Sequence, residues 1–451
     1  MSSVEKLLIA NRGEIACRII RTCNNMGIPT VAVHSEADRE SLHVEMADEA
    51  YEIGPPPVNE SYLDIEAILK VMQESGANAV HPGYGLLAEN AGFARAVQQA
   101  GHIWIGPDPA TIDAMGDKER ARELAVSLDV PVLPGSGRFR PGDEGDPSEI
   151  AAEIGYPLLV KAAAGGGGIG MRAVASAEKL LSQIETTQKL AERIFGDASI
   201  FLERYVPNAR HVEVQIFGFG NGEGIHLFDR DCTIQRRFQK IIEEAPAPSL
   251  SEEIRGRMQA AALKLVAHQS YLGAGTVEFI YDCDRDDFYF LEMNTRIQVE
   301  HAVTEMVTGI DLVKCQIEAA TGDFVSAKQD DIILTGHALE CRIYAERPEK
   351  KFMPSPGTLN ILEFPDKTED LRIDTGVVQG DTITPYYDPM IAKVIASGVN
   401  RDAAIARMRQ ALSEIKLEGV GNNIAFLSDV LSDPDFQKVD ITTNYIDKQQ
   451  K

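Results

Sequence analysis

The sequence of 451 residues has no uninterrupted apolar run approaching the ~18 residues of a membrane helix, which excludes a helical span. Its cysteines, Cys17, Cys23, Cys232, Cys283, Cys315 and Cys341, include no Cys-x-x-Cys pair and have no His-rich companion segment. Neither a disulfide framework nor a zinc site is expected, and a reducing cytoplasm fits. Positive charge is scarce: 44 Lys and Arg face 69 Asp and Glu, a net charge of −25. A phosphate backbone would be repelled over most of such a surface, so nucleic acid is not an expected partner. A polyanionic substrate then needs a local basic pocket helped by metal ions. Met1 to Lys6 leads straight into the apolar Leu7 to Ala10 without a basic leader or a small-residue cleavage site, so no secretion signal is expected.

What is present is the balance of a folded chain, 44% hydrophobic and 25% charged, long enough for two or three cores. The first hundred residues alternate short apolar runs with helical patterns: Leu7 to Ala10, Gly13 to Gly27, Thr30 to His34, Tyr62 to Ser75, Ala79 to His81. This α/β alternation predicts a mostly parallel, Rossmann-like sheet over residues 1–115. Asn11-Arg12-Gly13 lacks a full Gly-x-Gly-x-x-Gly and reads as a simple helix entry. Gly106-Pro107-Asp108-Pro109 marks a boundary, and the Pro, Gly and Ser between Pro131 and Pro147 mark a hinge. Residues 116–334 then read as an α+β nucleotide domain, with a helix over Ala177 to Phe195. Residues 335–451 read as a smaller α+β domain with a helix over Asp402 to Lys416.

Three clusters carry chemistry. Leu158 to Ala164 and Met171 to Val174 are strand-like and joined by Gly165, Gly166, Gly167, Gly168, Ile169 and Gly170. A dinucleotide fingerprint must open a helix, and a P-loop must close on Gly-Lys-Ser/Thr; neither follows here. A glycine hairpin with bare amides for phosphate oxygens remains, as in a kinase flap, with a surface loop as the alternative. Lys161 before the loop and Lys118 before a helix are candidate phosphate ligands. In the second cluster, Thr276 to Tyr281 and Phe288 to Asn294 form a hairpin around the polar turn Asp282 to Asp287. Glu292 and Asn294 share a sheet face and Glu278 lies on the partner strand, an oxygen set suited to magnesium. The third joins Gln235-Arg236-Arg237-Phe238-Gln239-Lys240 to Arg296, Gln298, Glu300 and His301. It predicts an anion pocket in which Glu300 is a general base on a small acid held by Arg296 and Lys240. In His211-Val212-Glu213-Val214-Gln215 the polar residues share one face, open to a nucleotide or to water.

In order along the chain, these segments resemble biotin carboxylase of the ATP-grasp superfamily. The likeness covers essentially the whole sequence, through Ala10-Asn11-Arg12-Gly13-Glu14-Ile15-Ala16, His81-Pro82-Gly83-Tyr84-Gly85, the glycine flap, His211-Val212-Glu213, Arg230-Asp231-Cys232, Glu243-Glu244-Ala245-Pro246 and Glu292-Met293-Asn294-Thr295-Arg296-Ile297-Gln298-Val299-Glu300-His301. The resemblance implies an ATP-grasp fold with a Rossmann-like N-terminal domain, a central domain carrying a lid at about 131–203, and an α+β C-terminal domain. It implies that bicarbonate and ATP give carboxyphosphate, whose carbon dioxide is captured by biotin. Lys118, Lys161, the flap glycines, Glu203, His211 and Gln235 are then ATP contacts. Glu278, Glu292 and Asn294 hold magnesium or manganese. Lys240, Arg296, Gln298 and the Val299 backbone clamp bicarbonate, with Glu300 the base. Arg342 stabilises the biotin enolate oxygen and Tyr84 lies near the ring.

The resemblance further implies a homodimer. A biotin-attachment Ala-Met-Lys-Met and a carboxyltransferase segment are absent from the sequence, so biotin is expected on a separate carrier protein and transfer on separate carboxyltransferase subunits. Acetyl-CoA, as in fatty acid biosynthesis, is one candidate acceptor beside other acyl-CoA thioesters and 2-oxo acids. Two positions depart from the family. Phe238 replaces a histidine, removing a polar contact near the nucleotide, and Ala302 replaces a proline after His301, which is expected to loosen the loop behind Glu300. Both point to a specialised paralogue.

Overall fold

The computed structural model describes residues 3–143, 146–163, 170–237, 239–324 and 327–449. The first unit is a parallel sheet of five strands, β1 (Leu7–Ile9), β2 (Thr30–Ser35), β3 (Glu49–Gly54), β4 (Ala79–His81) and β5 (Ile103–Trp104), in the order β3-β2-β1-β4-β5. The central strand β1 is buried along its whole length, as a parallel strand covered on both faces must be. Helix Gly13–Met26 follows it at once and buries Ile15, Ile19, Ile20 and Cys23, a stripe at the spacing of successive helical turns. Gly27 ends the helix at φ 70°, a left-handed cap that glycine adopts without strain. This is the Rossmann-like arrangement expected from the alternation of runs, and it brings the loops after β1 and β4 to one edge.

A small antiparallel sheet follows, made of β6 (Leu158–Ala162), β7 (Met171–Val174) and β8 (Ile200–Arg204) in the order β7-β6-β8. Lys161 pairs with Met171, so the strands flanking the glycine run form a hairpin. Gly165 to Gly168 themselves lie outside the described residues. Helices Pro147–Ile154 and Leu180–Phe195 belong to this unit. It has an apolar cluster of its own, in which Ala151, Ile154, Leu158, Val160, Ile184 and Leu202 meet.

The third sheet is antiparallel and has eight strands. Its first six are β13 (Asp287–Asn294), β12 (Leu272–Asp282), β9 (Ala209–Phe219), β10 (Gly224–Arg236), β11 (Gln239–Ala245) and β14 (His337–Tyr344), followed by Met390–Gly398 and Leu371–Thr375. Helix Glu252–Gln269, capped by Ser251 on the Ile254 amide, covers β9 and β10. The sheet does not stop near residue 335: β11 pairs with β14 through Ile242↔Cys341 and Glu243↔Glu340. The last third of the chain therefore continues the hydrogen-bonded ladder of the middle third. Its own core gathers around Leu339, Ile373, Val394, Met408 and Leu427.

Candidate active site

The two larger sheets and the β6–β7 hairpin face one cleft of about 1030 Å³. Lys118, Lys161, Glu203, His211 and Gln235 line it, as do Glu278, Glu292 and Asn294. Lys240, Arg296, Gln298, Val299, Glu300, Arg342 and Tyr84 complete the wall. These residues thus open on the same space, although they come from positions 84 to 342. Gly165 to Gly168 and Phe238 lie outside the described residues.

Strand register explains the convergence. In the β12–β13 hairpin Glu278 stands opposite Glu292, and Thr276 opposite Asn294. A register shift directly after Glu278 is the kind of bulge that re-aims a side chain beside a site. Glu278 accepts from Asn294 Nδ2 at 2.9 Å and from Gln298 Nε2 at 2.9 Å. Two carboxylates facing each other across a strand pair repel, so a cation between them is favoured. Glu292 leaves its carboxylate toward the cleft, with Lys118 Nζ 3.5 Å away. With the Asn294 amide oxygen these donors are all hard oxygens and fit a magnesium-type ion.

The centre of the site is Lys240. Its ammonium donates to Glu213 at 2.5 Å, Glu278 at 2.8 Å and Glu300 at 2.7 Å. Burial would lower this lysine, but the three carboxylates reverse that and hold it well above the usual value. Glu300 is fully enclosed and receives Lys240 on one oxygen and Arg342 Nη2 on the other, at 2.8 Å. Burial would raise its carboxyl, yet Lys240, Arg342 and Arg230 keep it well below the carboxylate range, and it stays ionised. Arg296 reaches Gln298 Oε1 at 2.8 Å, Asn294 Oδ1 at 3.0 Å and Glu89 at 2.9 Å, which holds its guanidinium along the cleft wall. On the small antiparallel sheet the Lys161 ammonium of β6 donates to Glu203 of β8.

The structure corrects two expectations and narrows a third. The basic run from Gln235 to Lys240 is divided by its own hairpin. Gln235 pairs with Lys240 across the turn, and both reach the cleft, whereas the alternation of the strand sends Arg236 away to Glu346 at 2.5 Å. Arg237, at φ 50°, donates to the Lys351 carbonyl. Of the polar face of His211, Glu213 and Gln215, only His211 reaches the cleft. Glu213 and Gln215 are both bound by the fully buried Arg230, at 2.6 Å each, and His211 lies 3.0 Å from Glu278. Ala302 is not in a loop: it sits in the first turn of helix His301–Thr308, buried against Val303 and Ala338, so packing fixes the segment.

Comparison with known proteins agrees in every region. The chain matches "Biotin carboxylase, N-terminal domain" over residues 3–112, "Carbamoyl-phosphate synthase L chain, ATP binding domain" over 117–328 and "Biotin carboxylase C-terminal domain" over 340–448. It is 49% identical over 444 residues to biotin carboxylase 1 of Bacillus subtilis, covering 98% of each chain. The chain belongs to the biotin carboxylase family. This is a family of ATP-dependent ligases that form a carbon–nitrogen bond. Against the mitochondrial methylcrotonoyl-CoA carboxylase subunit alpha of Mus musculus, identity is 47% over 451 residues, and the chain spans 62% of that subunit's length. The fold superposes with a TM-score of 0.94, at 44% identity, on the biotin carboxylase domain dimer of Hydrogenobacter thermophilus 2-oxoglutarate carboxylase in complex with MgADP, ADP and bicarbonate, covering 100% of this chain and 98% of that one.

Within this biotin carboxylase fold, several site residues had escaped the reading of the sequence. Glu213 and Arg230 appeared there only as parts of motifs. Lys393 had a signal in the sequence, being a charge inside the apolar run Met390 to Ala396. Glu243 and Glu340 stand opposite each other on β11 and β14, fully buried, and Glu243 lies 2.6 Å from Arg342. Burial pushes the Glu243 carboxyl up to about 7, with Glu300 adding to the shift and Arg342 opposing it. Between the ordinary value of 4.5 and about 7 the folded chain holds a proton that the unfolded chain has released. Stability therefore falls as pH rises through that window, at about 1.4 kcal/mol per pH unit. Glu243→Gln removes this slope: relative to the parent it should gain roughly 3 kcal/mol on going from about pH 5 to about pH 8. Urea unfolding at the two pH values measures this, and an equal difference at both would contradict it.

Proposed function

We propose that this chain carboxylates biotin at the expense of ATP and bicarbonate. The observation that carries the reading is the meeting of Lys240, Arg296, Gln298, Glu300 and Arg342 with the oxygen donors Glu278, Glu292 and Asn294 in one cleft. In this reading Lys118, Lys161, the flap glycines, Glu203, His211 and Gln235 bind ATP. Lys240, Arg296, Gln298 and the Val299 backbone hold bicarbonate in line with the γ-phosphate. A bicarbonate oxygen forms the new bond to phosphorus, the bond to ADP breaks, and Glu300 takes the bicarbonate proton. Magnesium, or manganese in its place, would be held by Glu278, Glu292 and Asn294 and would neutralise charge developing on the phosphates. Carboxyphosphate then splits into carbon dioxide and phosphate; the phosphate takes the N1 proton of biotin, and N1, with the enolate oxygen against Arg342 and the ring near Tyr84, forms the bond to carbon dioxide.

Further parts of the reading follow from the same family. The chain divides at about residues 115 and 334, and the segment at about 131–203 closes the glycine flap over ATP. Its separate apolar cluster supports motion as one body. Biotin arrives on a carrier protein, and a carboxyltransferase passes the carboxyl group to acetyl-CoA, another acyl-CoA or a 2-oxo acid. The Hydrogenobacter thermophilus neighbour is a dimer, which supports a homodimer here. Among the described residues no helix is long and apolar enough to cross a membrane, and we place the protein in the cytoplasm. Purified protein should release ADP only when bicarbonate is present, and faster with free biotin. ATP binding without such release would overturn the reading.

A further inference from the structure

We propose that Lys393 is a positioning residue that couples the bicarbonate side of the cleft to the biotin side; the inference rests on the reading above. Lys393 lies in strand Met390–Gly398 between β14 and Leu371–Thr375, opposite Arg342 on one neighbour and Asp374 on the other. Its side chain is 0% exposed, a placement that lysine tolerates only when its charge is answered. Two separate elements answer it. The ammonium donates to the Val299 carbonyl at 2.6 Å and lies 3.3 Å from Glu14 Oε1.

Each contact leads to a different part of the site. The Val299 carbonyl belongs to the same planar peptide unit as the Glu300 amide, so holding that oxygen sets where the base begins. Glu14, buried in the first turn of helix Gly13–Met26, accepts the Tyr84 hydroxyl on the oxygen that also faces Lys393. One ammonium therefore fixes the stem of Glu300 and, through Glu14, the ring placed beside biotin. The approach of the two elements is built in. A side chain on Gly376, in the loop after Leu371–Thr375, would collide with the backbone of Gly13 and Glu14. A neutral side chain of similar length keeps the packing and loses both contacts.

Three proteins test this: the parent, Lys393→Met and Glu14→Gln. Each is assayed for bicarbonate-dependent ADP release with and without free biotin, for binding of a non-hydrolysable ATP analogue, and for thermal unfolding. Lys393→Met should lower release without biotin by about tenfold to a hundredfold through the bicarbonate KM and kcat, with analogue binding unchanged. Glu14→Gln should leave release without biotin within about threefold of the parent and lose about tenfold in response to biotin. Parent-like constants for Lys393→Met would overturn the proposal. So would a Glu14→Gln variant that lowers both reactions by one common factor together with its unfolding temperature, the result of a purely structural role. If Lys393→Met does not fold, the split in Glu14→Gln decides alone. A parent that releases no ADP with bicarbonate overturns the functional reading, and this inference with it.

Discussion

Replacing Glu300 by Gln should lower bicarbonate-dependent ADP release by about 10²- to 10⁴-fold, the usual loss when a positioned proton acceptor is removed. Gln keeps the shape of the side chain, so the cleft stays packed. The charges around it also remain answered: Lys240 retains Glu213 and Glu278 at 2.5 and 2.8 Å, and Arg342 retains Glu243 at 2.6 Å. ATP-analogue binding should accordingly stay within about threefold of the parent, because the nucleotide contacts do not pass through Glu300. Because Lys240 and Arg342 keep Glu300 ionised far below neutral pH, it should contribute no acid limb to the rate profile near neutrality. Steady-state rates and a binding titration on the same preparation make the comparison, and turnover equal to the parent's would remove Glu300 from its assigned role.

The second large effect concerns stability. Arg230 is 0% exposed and reaches Glu213 at 2.6 Å, Gln215 at 2.6 Å, Thr304 at 2.9 Å and Thr276 at 3.0 Å. It thereby ties β9, β10, β12 and helix His301–Thr308 at the point from which Lys240 and Glu300 are supported. Arg230→Met fills similar space but leaves Glu213 one cation short and Gln215, Thr276 and Thr304 without that donor. Breaking one side of a buried ion pair costs about 3–5 kcal/mol. Urea unfolding should show a loss of that size, and a loss below about 1 kcal/mol would mean that the network is not held through this guanidinium.

How far the sequence disclosed this site depends on the kind of structure involved. The β12–β13 hairpin was legible because a period of two and a polar turn fix which residues share a face, and Glu278, Glu292 and Asn294 follow from that rule. The hairpin flanking the glycines was legible for the same reason. Arg236 and Arg237 misled, since nearness in sequence looks like a shared pocket, while the strand pairing sets Gln235 opposite Lys240 and Arg236 turns to Glu346. The partners of Glu213 were illegible: Arg230 meets it across strands, and a pattern read along one strand carries no information about its neighbours. Lys393 was visible as an anomaly in an apolar run, but its purpose required Val299 and Glu14, which are 94 and 379 positions away along the chain.

The continuous eight-stranded sheet limits how such a chain can be reassembled from parts. Family descriptions meet between residues 328 and 340, yet backbone hydrogen bonds cross from β11 to β14 beside that joint. Exchanging the last third between relatives also exchanges the strand that carries Glu340 and Arg342. A slip of one residue in its register would turn every side chain of β14 to the opposite face, taking Arg342 from Glu300. The earlier joint, between residues 112 and 117, is of another kind, because among the described residues the parallel sheet and the eight-stranded sheet share no strand pairing. Recombination at the first joint has to preserve surface fit, whereas recombination at the second has to preserve a ladder.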